Sequence, residues 1–212
     1  MHLMSLMNMI INDEKTSINL IPLFPTLIVK LSNFITKKEC SEIYQYIKTN
    51  KKIHRPHGQF EGDSVSTHEL SQRFSDPYAP PFNFLTDNLK KRLQAAVSNY
   101  CKETGMQNFA ITNFWSNIMN KGSVLKEHQH PNSSVSGALY INVGQGSSIC
   151  FHNPNPYVFY TNWDNYYTEY NLDTRRVDVY NRELVLFPSW LKHGKNDYPH
   201  DIDDRVVVSF NA

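Results

Sequence analysis

A mainly β fold of the jelly-roll type, with N-terminal helices packed on its outside (α+β), is what this sequence predicts. Two observations carry that expectation. Helical spacing is confined to the first half of the chain, and from Phe109 onward the apolar pattern turns to period two in short runs. A length of 212 residues with 40% hydrophobic, 19% charged and 13% aromatic side chains suits one globular domain with a real core.

The elements follow in chain order. Residues 1–20 read as a lead-in, because the apolar Met1–Asn12 stretch has no basic start, no small-residue cleavage site, and is cut off by Asp13, Glu14 and Lys15. The domain then runs over 21–212. Ile21 to Lys30 is apolar and β-branched between Pro22 and Pro25, which predicts a first strand at a sheet edge. Thr36-Lys37-Lys38-Glu39 is a capping box, and Cys40, Ile43, Tyr44 and Ile47 behind it recur at helical spacing, so a helix is predicted over 37–49. Residues 51–81 are polar and aperiodic and read as a long loop. A second helix carries Leu85, Leu89, Leu93, Ala96, Val97, Tyr100 and Cys101 on one face, with Gly105 just past its end. Strands are predicted over 109–119, 123–130, 135–143, 147–152, 184–187 and 205–211. Between the fourth and fifth lies an aromatic insertion, 153–183, with Tyr157, Phe159, Tyr160, Trp163, Tyr166, Tyr167, Tyr170 and Tyr180. It reads as a lid, a binding surface or an oligomer contact, the last leaving room for a homodimer.

Bulk charge excludes little and suggests less. Lys+Arg is 21 against Asp+Glu at 20, so a net charge of +1 gives no electrostatic case for nucleic acid or a membrane surface. Cys40, Cys101 and Cys150 are sparse, odd in number and form no CxxC pair. That pattern points to a reducing, cytoplasmic compartment and away from a disulfide framework or thiolate zinc site.

The chemistry begins at Glu127-His128-Gln129-His130. Side chains alternate across a strand, so His128 and His130 point to one face and two imidazoles can reach one metal ion. An HxH pair alone fits two surface histidines equally well. His193 supplies the third donor, 65 residues after His128 and just beyond the apolar run Leu184–Phe187 and Pro188, where a neighbouring strand of a barrel would return it. Three protein ligands with open positions are how catalytic metals such as non-haem iron are held.

Arg205 opens the last strand. Arg205, Val207 and Ser209 share one face, while Val206, Val208 and Phe210 share the other. A strand this apolar is buried on both sides, and an inward arginine there needs an anion. Its guanidinium fork matches a carboxylate through two parallel hydrogen bonds. Asp203 or Asp204 at the strand entrance is one partner; the distal carboxylate of a small dicarboxylic co-substrate is the other.

With these pieces in order, the chain resembles the Fe(II)/2-oxoglutarate oxygenase superfamily, in particular an uncharacterised bacterial and phage family, and more distantly the prolyl hydroxylases. The matching segments are WSN at 115–117, Gly122, HQHPNSSVSGALYIN at 128–142, LVLFPSWLKH at 184–193 and RVVVSFN at 205–211. No single motif is specific; their order is, with Arg205 twelve residues after His193. The resemblance implies a double-stranded β-helix with Fe(II), 2-oxoglutarate and O2 as cofactors. The reaction it implies couples decarboxylation of 2-oxoglutarate to succinate with oxidation of a substrate, either a small molecule or a protein side chain. It implies a bacterial or phage-infected host cell. It makes His128, His130 and His193 the iron ligands, Arg205 the partner of the 2-oxoglutarate C5 carboxylate, and Tyr140 a second hydrogen-bond partner of that carboxylate. Asn117 matches an asparagine that contacts the C1 end, and Ser209 is the nearest hydroxyl on the Arg205 face. Ser136, Ala138, Tyr140 and Asn142 share a strand face that could line such a site. For Tyr140, Asn117 and Ser209 a purely structural hydrogen bond is an equal alternative.

One departure stands out. Most of the superfamily carries HxD or HxE, whereas position 130 is histidine, so a third neutral ligand raises the net charge of the site by one unit and also suits Zn or Cu. Glu127 points to the opposite face of a regular strand. Two other functions share the architecture. A cupin metalloprotein would show Gly122, HxH, Pro188 and His193, but Ser134 and Val135 stand where its glutamate is expected, and it has no use for Arg205. A non-enzymatic jelly-roll module would bind a partner through the aromatic insertion. The 51–81 loop and the 153–183 insertion are the candidates for gating the site.

Overall fold

A computed structural model describes residues 10–11, 14–15, 24–79, 84–155, 172–194 and 201–212. Its strands are β1 (Ile10–Ile11), β2 (Glu14–Lys15), β3 (Val29–Leu31), β4 (Phe60–Glu61), β5 (Ser64–Ser66), β6 (Asn113–Met119), β7 (Val124–Leu125), β8 (Val135–Asn142), β9 (Ser148–His152), β10 (Thr174–Asp178), β11 (Leu184–Pro188) and β12 (Arg205–Asn211). The helices are α1 (Lys37–Thr49), α2 (His68–Ser71) and α3 (Asp87–Thr104), with a 3-10 turn at Lys51–Ile53.

The frame is a six-stranded sheet in the order β3-β11-β8-β12-β6-β5, antiparallel throughout. Opposite it lie two smaller pairs, β4-β7 and β10-β9, drawn together by the bridges His128–His193 and Phe151–His193. The result is a jelly roll whose small layer is assembled from pieces and does not close. Strands β1 and β2 pair with each other.

Both long helices start where local chemistry dictates. Thr36 accepts from Glu39 N at 3.1 Å while Glu39 Oε2 accepts from Thr36 N at 2.8 Å, completing the predicted capping box of α1. Thr86 caps α3 through Leu89 N, and Gly105 ends it in the left-handed conformation at φ 70°. Arg92 of α3 bonds Glu39 of α1 and the Phe34 carbonyl, which fastens the helices to each other. Their apolar faces, including Ile43, Ile47, Leu89, Leu93 and Val97, pack on Leu139, Leu186, Val206, Val208 and Phe210 of the large sheet. The opposite sheet face carries Ala138, Tyr140, Val185, Phe187 and Val207 toward Phe151 and Val179. Helices therefore cover one face of the sheet, leaving the other to enclose a site.

Several boundaries differ from the sequence expectation. Of the first strand predicted over 21–30, residues 21–23 lie outside the described residues, 24–28 are irregular, and Val29 and Lys30 enter β3, which lies at the edge of the large sheet. The loop predicted over 51–81 contains β4, β5 and α2, and β5 extends the far edge of the large sheet by pairing with β6. These strands are two and three residues long, too short for periodicity to reveal; pairing partners create them. The end of the 153–183 insertion is strand β10, hydrogen-bonded along β9. Tyr180 is exposed beneath Lys30 and does not line the cavity described below, whereas Tyr157, Phe159, Tyr160, Trp163, Tyr166, Tyr167 and Tyr170 lie outside the described residues. Among the described residues no helix is long and apolar enough to cross a membrane.

Candidate metal centre and adjoining cavity

The run predicted as a strand over 123–130 forms only β7, after which the chain continues as an irregular ladder. His128 and His193 exchange backbone bonds of 2.9 and 3.0 Å, and His130 N donates to Ser189 O at 3.0 Å. Pairing with the segment after β11 thus substitutes for a regular strand, and the rings of His128 and His130 still stack on one side, 5.2 Å apart. Gly194 makes the approach possible. At φ 100°, any Cβ there would lie 2.4 Å from the Lys126 carbonyl oxygen.

The three imidazoles converge. One ring nitrogen from each of His128, His130 and His193 lies within 4.8 Å of the others. Each Nδ1 is turned onto a protein oxygen: His128 onto Lys126 O at 2.8 Å, His193 onto Leu191 O at 2.9 Å, and His130 onto Asn211 Oδ1 at 2.7 Å. A carbonyl oxygen only accepts, so each Nδ1 carries the proton and each Nε2 keeps its lone pair. Burial holds all three rings below the ordinary imidazole range. His130 sits at about 4, and His193, where the charges of His128 and His130 add to burial, is held well below the ordinary 6.5. The rings are neutral donors at neutral pH, the state in which histidine binds metal. Among the described residues this is the one group of histidine, cysteine or carboxylate side chains so arranged. Glu127 is turned away from it, paired with Lys192 at 2.8 Å and facing His152.

Beside the triad opens a cavity of about 390 Å³. Arg205, Val207, Ser209 and Asn211 of β12 line it from one side, as alternation along that strand requires. Arg205 is 5% exposed, and among the described residues no carboxylate oxygen reaches it. Its Nε has no partner, its Nη1 meets only the Met119 sulfur at 3.9 Å, and its guanidinium stands 5.7 Å from the Tyr140 ring. The two neighbouring aspartates are committed elsewhere, Asp204 to Lys48 and Asp203 to the Lys121 backbone. Burial draws the guanidinium down to about 10, with Tyr140 and more distant Asp201 pulling it back, so it remains charged at neutral pH. Tyr140 is buried too, and burial pushes its phenol up.

Asn117 and Ser209 meet in the cavity wall at 3.5 Å, with Asn117 Oδ1 also accepting from Ser66 at 2.7 Å. Ala138 and Tyr140 line the cavity, but Asn142 does not; its amide donates to Asp204 O. Sequence reasoning missed three contributors. His57 and His68, from the segment read as a loop, continue an edge-to-face row of rings through Trp115 to His130. Asn211 was on the page as the next odd position after Ser209 on the Arg205 face, and period two alone could have found it.

Residues 113–211 match the family described as "Putative 2OG-Fe(II) oxygenase". Over that segment, just under half of its length, the chain is similar to the 2OG-Fe(II) oxygenases. Three solved structures share the fold. A prolyl-4-hydroxylase from Pseudomonas putida aligns over 88% of this chain and 92% of its own, with TM-score 0.55 and 13% identity. An oxidoreductase of the 2OG-Fe(II) oxygenase family from Burkholderia pseudomallei aligns over 87% and 84%, at 0.58 and 10%. HygX from Streptomyces hygroscopicus, solved with nickel, 2-oxoglutarate and hygromycin B bound, aligns over 87% and 81%, at 0.53 and 14%. No curated protein matches the sequence. The cofactors of that family, Fe(II) and 2-oxoglutarate, fit what this chain offers. Three neutral imidazoles converge with open positions beside them, and a buried guanidinium with no carboxylate bonded to it among the described residues stands in the same cavity.

Proposed function

We propose that this protein is an Fe(II)- and 2-oxoglutarate-dependent oxygenase, a hydroxylase-type dioxygenase in which His128, His130 and His193 hold Fe(II) and Arg205 binds the C5 carboxylate of 2-oxoglutarate. The observation that carries this reading is the uncompensated charge of Arg205. A guanidinium buried to 5% exposure with no carboxylate bonded to it among the described residues costs several kcal/mol, on the order of what breaking a buried pair costs, and a bound dicarboxylate offsets it. A cupin of the same architecture would have no reason to keep it.

The other roles follow from position. Tyr140, beside Arg205, is kept protonated by burial and can donate to the same carboxylate. Asn117 and Ser209, at the same wall, orient the keto-acid end of the co-substrate toward the histidines. Trp115, Phe187 and Val207 exclude water around the reacting groups. Iron and 2-oxoglutarate, when bound, supply O2 activation and the two electrons released as 2-oxoglutarate becomes succinate and CO2, so that one oxygen atom enters the substrate and one enters succinate. The histidine at position 130 leaves the metal site one unit more positive than a site with an aspartate there, which raises the potential needed to oxidise the metal. The substrate is a small molecule or a protein side chain that reaches the triad past the His57–His68–Trp115 wall.

Anaerobic addition of 2-oxoglutarate to the Fe(II)-loaded protein should produce a weak visible charge-transfer band. Arg205→Met should abolish it at the same 2-oxoglutarate concentration while retaining one equivalent of metal. Absence of the band in the wild-type protein with metal bound would refute the assignment and favour the cupin reading.

A further inference from the structure

We propose that Asn211 is the positioning residue that fixes the tautomer of His130, and thereby makes its Nε2 available as a metal donor. The inference rests on the reading of the three histidines as metal ligands and adds a residue that reading does not use.

The three rings are held in two different ways. His128 and His193 each turn Nδ1 onto the backbone carbonyl two residues earlier, Lys126 and Leu191, at 2.8 and 2.9 Å. The main chain itself provides those acceptors, and no side-chain substitution removes them. His130 has no such carbonyl. Its Nδ1 lies 2.7 Å from Asn211 Oδ1 and 2.8 Å from Ser136 Oγ. Ser136 also donates to Asn211 Oδ1 at 3.0 Å and meets Ser189 Oγ at 2.8 Å. Ser136 and Ser189 are fully buried and Asn211 is 8% exposed, so no bulk water replaces these partners.

In this network a serine hydroxyl can either give or take a hydrogen bond, so it cannot set a tautomer. The amide oxygen can. Facing Nδ1 it demands an N–H there and leaves Nε2 unprotonated; the opposite amide orientation would put the proton on Nε2 and close the donor. His130 occupies the position where a carboxylate would need no tautomer at all, so the replacement by histidine creates a requirement that Asn211 meets. Asn211 ends β12, six residues after Arg205 and on the same face, so one strand carries both the co-substrate partner and the ligand-orienting residue.

Long-range nitrogen–proton NMR of the metal-free full-length protein at neutral pH reads the tautomer directly. His130 should be protonated at Nδ1. Asn211→Leu should mix the tautomers or move the proton to Nε2 and weaken Co(II) binding by about 10- to 100-fold. Asn211→Asp, which keeps an acceptor, should preserve Nδ1–H and tight Co(II) binding. A wild-type His130 protonated at Nε2, or a leucine variant with unchanged tautomer and affinity, overturns the proposal. If the leucine variant fails to fold, the wild-type tautomer and the aspartate variant still decide it. A wild-type protein that binds no Co(II) would remove the metal-centre reading, while the tautomer measurement would still test what Asn211 does to His130.

Discussion

At the scale of single residues, the buried charges and imidazoles give this chain a pH dependence. His54, 5% exposed, holds its ring against the Ser116 hydroxyl at 2.9 Å. Burial lowers it from the usual 6.5 to about 4. A group whose folded pKa lies below its unfolded value takes up protons preferentially in the unfolded chain. Stability is then fully present above about 6.5 and is lost as pH falls toward 4. The ceiling for one such ring is about 3 kcal/mol. Urea unfolding at pH 7 and pH 5 should show the wild type losing stability on acidification, and His54→Phe should lose measurably less. Equal losses in the two proteins would assign the acid sensitivity to other groups.

At the scale of elements, legibility in the sequence follows the range of the interactions that make each element. Helix α1 is legible because its capping box lies within four consecutive positions, and Thr36→Ala should lower stability by about 1 kcal/mol without changing Co(II) affinity, as paired urea titrations and metal titrations would show. A coupled loss of metal binding would mean that α1 positions the site through the sheet. Strand β12 was legible because Arg205 interrupts an otherwise apolar alternation, which both marks the strand and singles out its one charge. The triad could be nominated from His128, His130 and His193, yet the regular strand expected beneath the pair does not form; long-range pairing of 128 with 193 does that work. Strands β4 and β5 were unreadable for the same reason, being defined by β7 and β6. With them went His57 and His68, whose place in the cavity wall depends on a pairing that no local pattern encodes.

At the scale of the whole molecule, the large sheet divides two demands. Its helix-covered face is apolar, whereas its other face looks onto the three histidines and carries an arginine that no carboxylate among the described residues bonds. That second face is destabilising until ligands fill it, which predicts opposite effects of one substitution in two states. Arg205→Met removes a buried charge and keeps most of the side-chain volume, so the ligand-free variant should be more stable than the wild type, by about 1–4 kcal/mol. The lost contact with the Tyr140 ring, worth about 0.5–2 kcal/mol, works against the gain without cancelling it. Metal held by the three histidines would link residues 128 and 130 to 193 and should raise Tm in both proteins alike. The two should part when 2-oxoglutarate is added to the metal-loaded protein. At about 100 times its Kd the co-substrate stabilises the wild type by about 2.7 kcal/mol, whereas the methionine variant should not respond. Thermal unfolding of both proteins as apoprotein, with Co(II), and with Co(II) and 2-oxoglutarate separates these terms. A lower Tm for the ligand-free variant would mean that Arg205 already has a structural partner within the chain, and would take away the observation on which the co-substrate assignment rests.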